Sequence, residues 1–490
     1  MTHALLHQHP QEVLTQFDNY DTYLRTLYDV SLHLKKEQEA LEQSYKPLVV
    51  WADQHKIDII QFPRDLSLLR NLDTLSLPDY GLSGFPALLG TLQNLSKVNL
   101  SGNALTEIPR WITQLRHLRG LYLYKNQISE IPDALARLEK LAILDLGKNR
   151  LYKIPQSISG MTQLRELYLS HNHLITFPEN LRGLHSLKTL FITDNHLTQL
   201  PDWIGEFTQL QRLNLSNNPL QQLPEEIGEL NALKELTIGN ISLTALPEWI
   251  GQLSELETLN LSSNAIHTLP ESVRNLKKLQ KLTLWGCALS TLPEWIGELH
   301  ELTELNIRWN NLTALPESIG NLQKLQKLDL GSNRLHTLPE SIGNLTELQS
   351  LSLDKNNITA LPETVEQLYR LDEASRKQIQ TINALHEVEK ASWEQAKMEN
   401  TKTAYETYLE QFPNHAHYRE AVEKLDELIR TERSDTLEEE AWAKTKEENS
   451  AEAYAKYIFY FPKGRHIAEA KILQAQREKK ERSIFGKLFS

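Results

Sequence analysis

At 490 residues the length allows two to four domains, and 40% hydrophobic content is enough for a continuous core. A formal net charge of -12 argues against nucleic-acid backbones or anionic lipid as the main partner. The single cysteine, Cys287, excludes an intramolecular disulfide and with it a disulfide-stapled secreted scaffold. No run approaches the ~18 apolar residues of a membrane span. Met1–Pro10 lacks a basic start followed by an apolar core, so no signal peptide is visible. The expected location is the cytoplasm, with export by a route without a cleaved signal as the alternative.

Residues 1–64 read as a helical cap. Val13, Phe17, Tyr20, Leu24, Leu27, Tyr28, Leu32 and Leu34 recur mostly at spacings of three and four, the pattern of an amphipathic helix. It is expected to end near Ser44-Tyr45-Lys46, with a shorter helix starting at Pro47, where a first-turn proline costs no hydrogen bond. A repeat array needs such a cap over its apolar end and unpaired strand edge. His3, His7 and His9 read as a mobile tail rather than a metal site, because no carboxylate or cysteine converges there.

Residues 65–364 carry a ruler of prolines. Pro63, Pro86, Pro109 and so on to Pro362 each fall 23 residues after the one before, without insertion or deletion. Between them runs one sentence, for example Leu325-Gln-Lys-Leu328-Asp-Leu330-Gly-Ser-Asn333-Arg-Leu335-His-Thr-Leu338-Pro339. Such a fixed period marks a solenoid. The leucine-x-x-leucine-x-leucine-x-x-asparagine half alternates like a half-buried strand, and the proline-led half carries helix-start and helix-stop residues. The pattern resembles the leucine-rich repeat, in the 23-residue variety of bacterial and Ras-regulatory scaffold proteins. The resemblance implies an α/β solenoid of about 13 repeats, a horseshoe with a parallel β-sheet on its concave face.

An asparagine six residues before most prolines, as at Asn103, Asn149 and Asn333, forms a ladder of amides able to satisfy buried backbone groups. Tyr80, Ile241 and Cys287 break it. Ile241 predicts a local irregularity, with Asn240 as the neighbour placed to compensate. Cys287 reads as buried and inert. Trp111, Trp203, Trp249 and Trp295, two residues after their prolines, are expected to cover the convex core.

In such a horseshoe the leucines fill the core and the residues between them face the concave surface. Most are small and polar, but two clusters depart. The first is Tyr122, Tyr124, Asp145, Tyr168 and Phe191, with Lys125, Lys148, His171 and Asp194 on the adjoining rim. The second is Trp285, Arg308 and Trp309, beside Lys281 and Glu304. Aromatics and arginine on an exposed sheet face are the residue types of binding hot spots. The competing reading is cross-strand stacking that only stabilises the sheet. For both clusters the two readings stay open.

Residues 365–392 read as a capping and linking helix. In 393–490 a second repeat appears, with Trp393 and Trp442, Tyr405 and Tyr454, Tyr408 and Tyr457, Pro413 and Pro462, and His417 and His466 all 49 residues apart. Each copy reads as a helical hairpin and resembles tetratricopeptide-like hairpins, an all-α domain whose relatives dock proteins. The basic and apolar tail, Lys479–Ser490, reads as a frayed terminus, with a docking motif as the alternative.

Catalysis has no visible residue set. There is no G-x-x-x-x-G-K-S/T loop, H-E-x-x-H, G-x-S-x-G or kinase signature, and no cysteine in the C-terminal region for a ubiquitin-ligase mechanism. The expectation is a non-enzymatic, cofactor-free scaffold or adaptor that binds a protein or peptide on the concave face and docks a second partner through the hairpins. The alternative is a secreted bacterial effector, or a regulatory subunit of a signalling or defence system, that modulates an enzyme.

Overall fold

A computed structural model describes residues 20–413 and 415–488, with only the backbone at several helical positions, among them 480–488. His3, His7, His9, Val13 and Phe17 lie outside the described residues, as do the side chains of the C-terminal tail beyond Lys479. The chain divides into two compact units. The first runs to Asn357 and includes Pro362–Gln378; the second comprises Ile358–Leu361 and the chain from Ile379 onward.

In the first unit, thirteen three-residue strands form one parallel sheet in sequential order, from β1 (Thr74–Ser76) to β13 (Ser350–Ser352). The register never slips: Ser76 pairs with Asn99, Asn99 with Tyr122, and so on to Asp329 with Ser352. The central residue of each strand, a leucine in all but β2, is buried, as at Leu144 and Leu328, and its two neighbours face the other side. The returning half of each repeat is a short 3-10 helix, such as Glu340–Asn344. Proline stands just before that helix, extended, and its carbonyl accepts the first helical bond (Ile342 N–H to Pro339 O, 3.1 Å). The missing proline N–H is therefore never needed. Trp111 and Trp249 are buried on this side, and Trp203 is half-buried against Phe177 and Phe207.

The asparagine ladder is built as the sequence predicts. Asn172 Nδ2 donates to Leu146 O and Leu169 O at 3.0 Å each, and its Oδ1 accepts Leu151 N–H at 2.9 Å. At Ile241 the pattern fails. Leu220 N–H finds no amide oxygen and turns to Asn218 O (2.9 Å), while Gln221 takes a left-handed φ of +62°. Asn240 does not fill the gap: it bonds Asn217 on the rim, and Asn264 Oδ1 accepts Ile241 N–H in addition to its regular ladder bond from Leu243 N–H. Cys287 is fully buried and donates to Leu261 O, one of the bonds an asparagine would make. Burial pushes its thiol up to about 11. Tyr80 Oη donates to Gln61 and accepts Asp58 N–H, tying the cap to the first repeat.

Helices flank both ends of the sheet. At the start, one helix, α1 (Tyr20–Gln54), runs through Pro47 where two were expected. An internal proline costs about 3 kcal/mol, and burial of Tyr45, Leu48 and Ala52 on the same stretch opposes that cost. A short α2 (Leu66–Arg70), capped by Asp65, precedes β1. At the other edge, Leu351 N–H and Leu353 N–H donate to Ser375 Oγ and Gln378 Oε1 on the first turns of α3 (Glu373–Glu399). Side-chain oxygens there replace the carbonyls of a fourteenth strand.

The second unit holds two copies of one packing motif. α4 (Lys402–Gln411), α5 (Tyr418–Glu448), α6 (Ala451–Tyr460) and α7 (Ile467–Leu488) follow α3. Trp393, Tyr405, Tyr408, Phe412 and Ala421 form one core, and Trp442, Tyr454, Tyr457 and Ala470 the other. α5 serves both, closing the first copy and opening the second. Asn400 and Asn449 end their helices in the left-handed conformation, each accepting a tyrosine hydroxyl.

Candidate functional site

The concave face carries three rows of side chains, and the row through the last residue of each strand holds the first cluster. Tyr122, Asp145, Tyr168 and Phe191 stand side by side on β3 (Gly120–Tyr122), β4 (Ile143–Asp145), β5 (Glu166–Tyr168) and β6 (Thr189–Phe191). All four are half-buried on the sheet surface. Tyr168 and Phe191 meet edge to face at 5.4 Å, and the Arg212 guanidinium lies 5.9 Å from the Phe191 ring. A Cβ at Gly120 would lie 3.1 Å from the Tyr122 ring, and one at Gly147 3.0 Å from the Tyr124 ring, both tighter than ordinary contact. The two tyrosine rings therefore lean over the glycines. Tyr124 stays 40% exposed.

Asp145 sits between the tyrosines with its Oδ1 accepting Gly147 N–H at 2.9 Å, and burial raises its carboxyl above the usual range. Tyr168 Oη donates to Glu166 Oε2 at 2.7 Å. Burial, and then that carboxylate, push its phenol up to about 12. Tyr122 is raised by burial and by Glu166 and Asp145.

The rim residues Lys125, Lys148, His171 and Asp194 share a backbone feature that the sequence reading missed. With Trp309 and eight others spaced by 23 residues they adopt φ between +53° and +69°. The signal was present: glycine, asparagine and aspartate, the types that tolerate this conformation, recur there as Asp79, Gly102, Asn217, Asn240 and Gly286. Lys125 pairs with Asp79 and His171 with Asp194, both at 3.5 Å.

The second cluster divides. Arg308 is engaged within the sheet, with Nη1 and Nη2 each 2.7 Å from the Asp354 carboxylate and Nη1 3.5 Å from Asp329. The pair crosses the intervening strand over Gly331, where a Cβ would lie 2.1 Å from the guanidinium. Arg308 holds the Asp354 carboxyl down to about 2. Trp285 and Trp309 are exposed by 40% and 54%, and Lys355 lies over the Trp309 ring at 5.5 Å. A tryptophan at φ +59° is costly, on the order of 1–2 kcal/mol.

Where Ile241 breaks the ladder, a cavity of about 610 Å³ opens beside Gln221, Gln222, Ser242 and Thr244. In the second unit each copy buries a carboxylate that the sequence reading passed over, Glu389 and Glu438, also 49 residues apart. Glu389 accepts Tyr408 Oη and pairs with His417 Nδ1 (2.8 Å), whose ring stacks on Trp393. Burial opposes the charge on Glu389, but these two bonds outweigh it and leave its carboxyl below the ordinary value. Phe459 and Tyr460, 77% and 70% exposed, form a further aromatic pair. Their signal was a mismatch, since the first copy has Glu410 and Gln411 at those places. Among the described residues no group of three His, Cys, Asp or Glu is arranged to hold a metal ion, and no helix is long and apolar enough to cross a membrane.

A family model described as leucine-rich repeat region matches residues 179–262, 225–311 and 296–392, and one described as leucine rich repeat matches 117–174. No curated protein matches. Among solved structures, the chain is similar to a leucine-rich repeat protein of Leptospira interrogans at 30% identity and TM-score 0.60, over 66% of this chain and 91% of that one. It shares the fold of an internalin of Listeria monocytogenes (24% identity, TM-score 0.57, 66% and 94% covered). It is also similar to a TDR receptor (28% identity, TM-score 0.52, 62% and 59% covered). Matched by its repeats, its thirteen-strand sheet and a relative covered almost end to end, the chain belongs to the leucine-rich repeat family.

Proposed function

We propose that the chain is a non-enzymatic scaffold or adaptor of the 23-residue repeat type that grips a protein or peptide on its concave face. The fold commonly mediates protein–protein interaction. The observation that carries the reading is the Tyr122, Tyr124, Tyr168 and Phe191 surface, set among rows of small polar residues. Tyrosine and phenylalanine supply contact area at little entropic cost when the sheet beneath them is already formed. The tetratricopeptide-like hairpins dock a second partner, and the exposed Phe459–Tyr460 pair supports that role.

The test is capture by the intact chain, with bound proteins identified by mass spectrometry and their affinities then measured. Replacing Tyr122, Tyr124 and Tyr168 with alanine is expected to weaken capture by about 100-fold or more, as for loss of two or three hot-spot residues, with circular dichroism unchanged. Unchanged capture would reject this surface in favour of Trp285, Arg308 and Trp309 or the helical unit.

A further inference from the structure

We propose that Asp145 is the anchor for a basic side chain, an arginine or lysine of the captured polypeptide. The inference rests on the concave-face reading and names the chemistry of its central contact. It starts from what the row position requires. Asn99, Asn214, Asn260 and Asn306 occupy the same row, and each side-chain oxygen accepts the N–H two residues on, at 3.0–3.1 Å. Asp145 and Asp329 make the same bond, to Gly147 and Gly331. A neutral amide oxygen therefore meets the structural need, and the charge of an aspartate here is surplus to the fold. At Asp329 the surplus has a partner, Arg308. At Asp145 no ion pair from the described residues reaches the carboxylate, and burial disfavours its charge.

The surroundings of Asp145 fit an incoming cation. Tyr122 lies back along its strand over Gly120, and Tyr168 lies back along its own toward Glu166. The two rings flank Ile143, which pairs with Gly120 on one side and Glu166 on the other. The result is a slot with tyrosine walls, an isoleucine floor and carboxylates at Asp145 and Glu166. Its walls stand two strands apart, roughly 10 Å at the backbone, which admits one extended side chain. Its stem would cover Ile143 and its charged head would meet Asp145 beside the ring faces, where cations are attracted. Burial first, and then the neighbouring carboxylates, raise the phenols of Tyr122 and Tyr168.

The probe is a phage-displayed library of random dodecapeptides, selected on the intact chain and resynthesised. The expected result is an arginine or lysine at one fixed position of the selected peptides. Affinity should fall at least tenfold on Asp145→Asn, and as much on replacing that basic residue with glutamine. The two losses should not add, because both remove one interaction. Asn already occupies this row elsewhere, so the variant keeps the backbone bond. Asp133→Asn, an exposed change on a 3-10 turn, controls for net charge and should leave affinity unchanged.

Peptides that lose binding on Tyr122→Ala and Tyr168→Ala but carry no basic residue, or that bind Asp145→Asn equally well, overturn the anchor and leave the concave-face reading standing. An equal loss on Asp133→Asn reduces the effect to bulk charge and also overturns the anchor. Selected peptides indifferent to all these changes, or the selection of none, overturn both.

Discussion

Two aspartates in one row of the same sheet, Asp145 and Asp329, differ in what surrounds them. Asp329 lies under a guanidinium that also grips Asp354, and Gly331 leaves the room for that bridge to cross the strand. Asp145 lies between tyrosine rings, one of them resting over a glycine, with a backbone N–H as its bonded partner and no cation among the described residues. Both regions carry the aromatic and charged residues that look alike as binding signals in sequence. The geometry separates them: in one the charges satisfy each other, and in the other no cation among the described residues meets the carboxylate. Composition of a face therefore says less about binding than whether its polar groups are already matched.

Breaking the matched region should have the larger effect on stability. Arg308→Met leaves two carboxylates near each other without their cation and should cost about 1–2 kcal/mol, read from the midpoint of the sheet unit's urea transition. The range is held low because Asp354 remains partly exposed. Asp145→Asn should do the opposite or nothing, from no change to a gain of about 1 kcal/mol, because a carboxylate that burial disfavours becomes a neutral amide. A clear loss on Asp145→Asn would show that its charge is structurally used and would erase the contrast.

Acid should sharpen the comparison with a subtler effect. Asp354 has a folded value of about 2, below the ~3.9 of a free aspartate. Its ion pair therefore contributes stability above about pH 4, lost as pH falls toward 2. Asp145 is raised instead, so the folded protein holds its proton longer, and stability falls as pH rises through and beyond the free-aspartate value. Carboxyl carbon shifts followed by NMR should place the two titrations on opposite sides of the free-aspartate value.

The solenoid was legible because its period is covalent: prolines and leucines every 23 residues fix strand, turn and return path without long-range information. The failed rung at Ile241 was legible too, since an aliphatic side chain cannot accept the N–H of Leu220. The continuous α1 was not, because burial of Leu48 and Ala52 opposes the local preference of Pro47, and α1 packs on the first 3-10 segment, Ala87–Thr91, a tertiary contact. For the candidate site, the sequence named the two clusters but not which of their polar groups pair within the sheet. Arg308 pairs with Asp354, 46 residues away, across a strand whose glycine reads as unremarkable until the bridge is seen. The buried Glu389 and Glu438 were hidden among many charged helical positions, and the tyrosine hydroxyls they accept mark them out in the structure.

The most direct measurement is hydroxyl-radical footprinting of the intact chain, alone and bound to a captured partner. Protection should fall on Tyr122, Tyr124, Tyr168 and Phe191, with Trp285 and Trp309 oxidised as before. Protection confined to the two tryptophans, or to the helices of the second unit, would contradict the account.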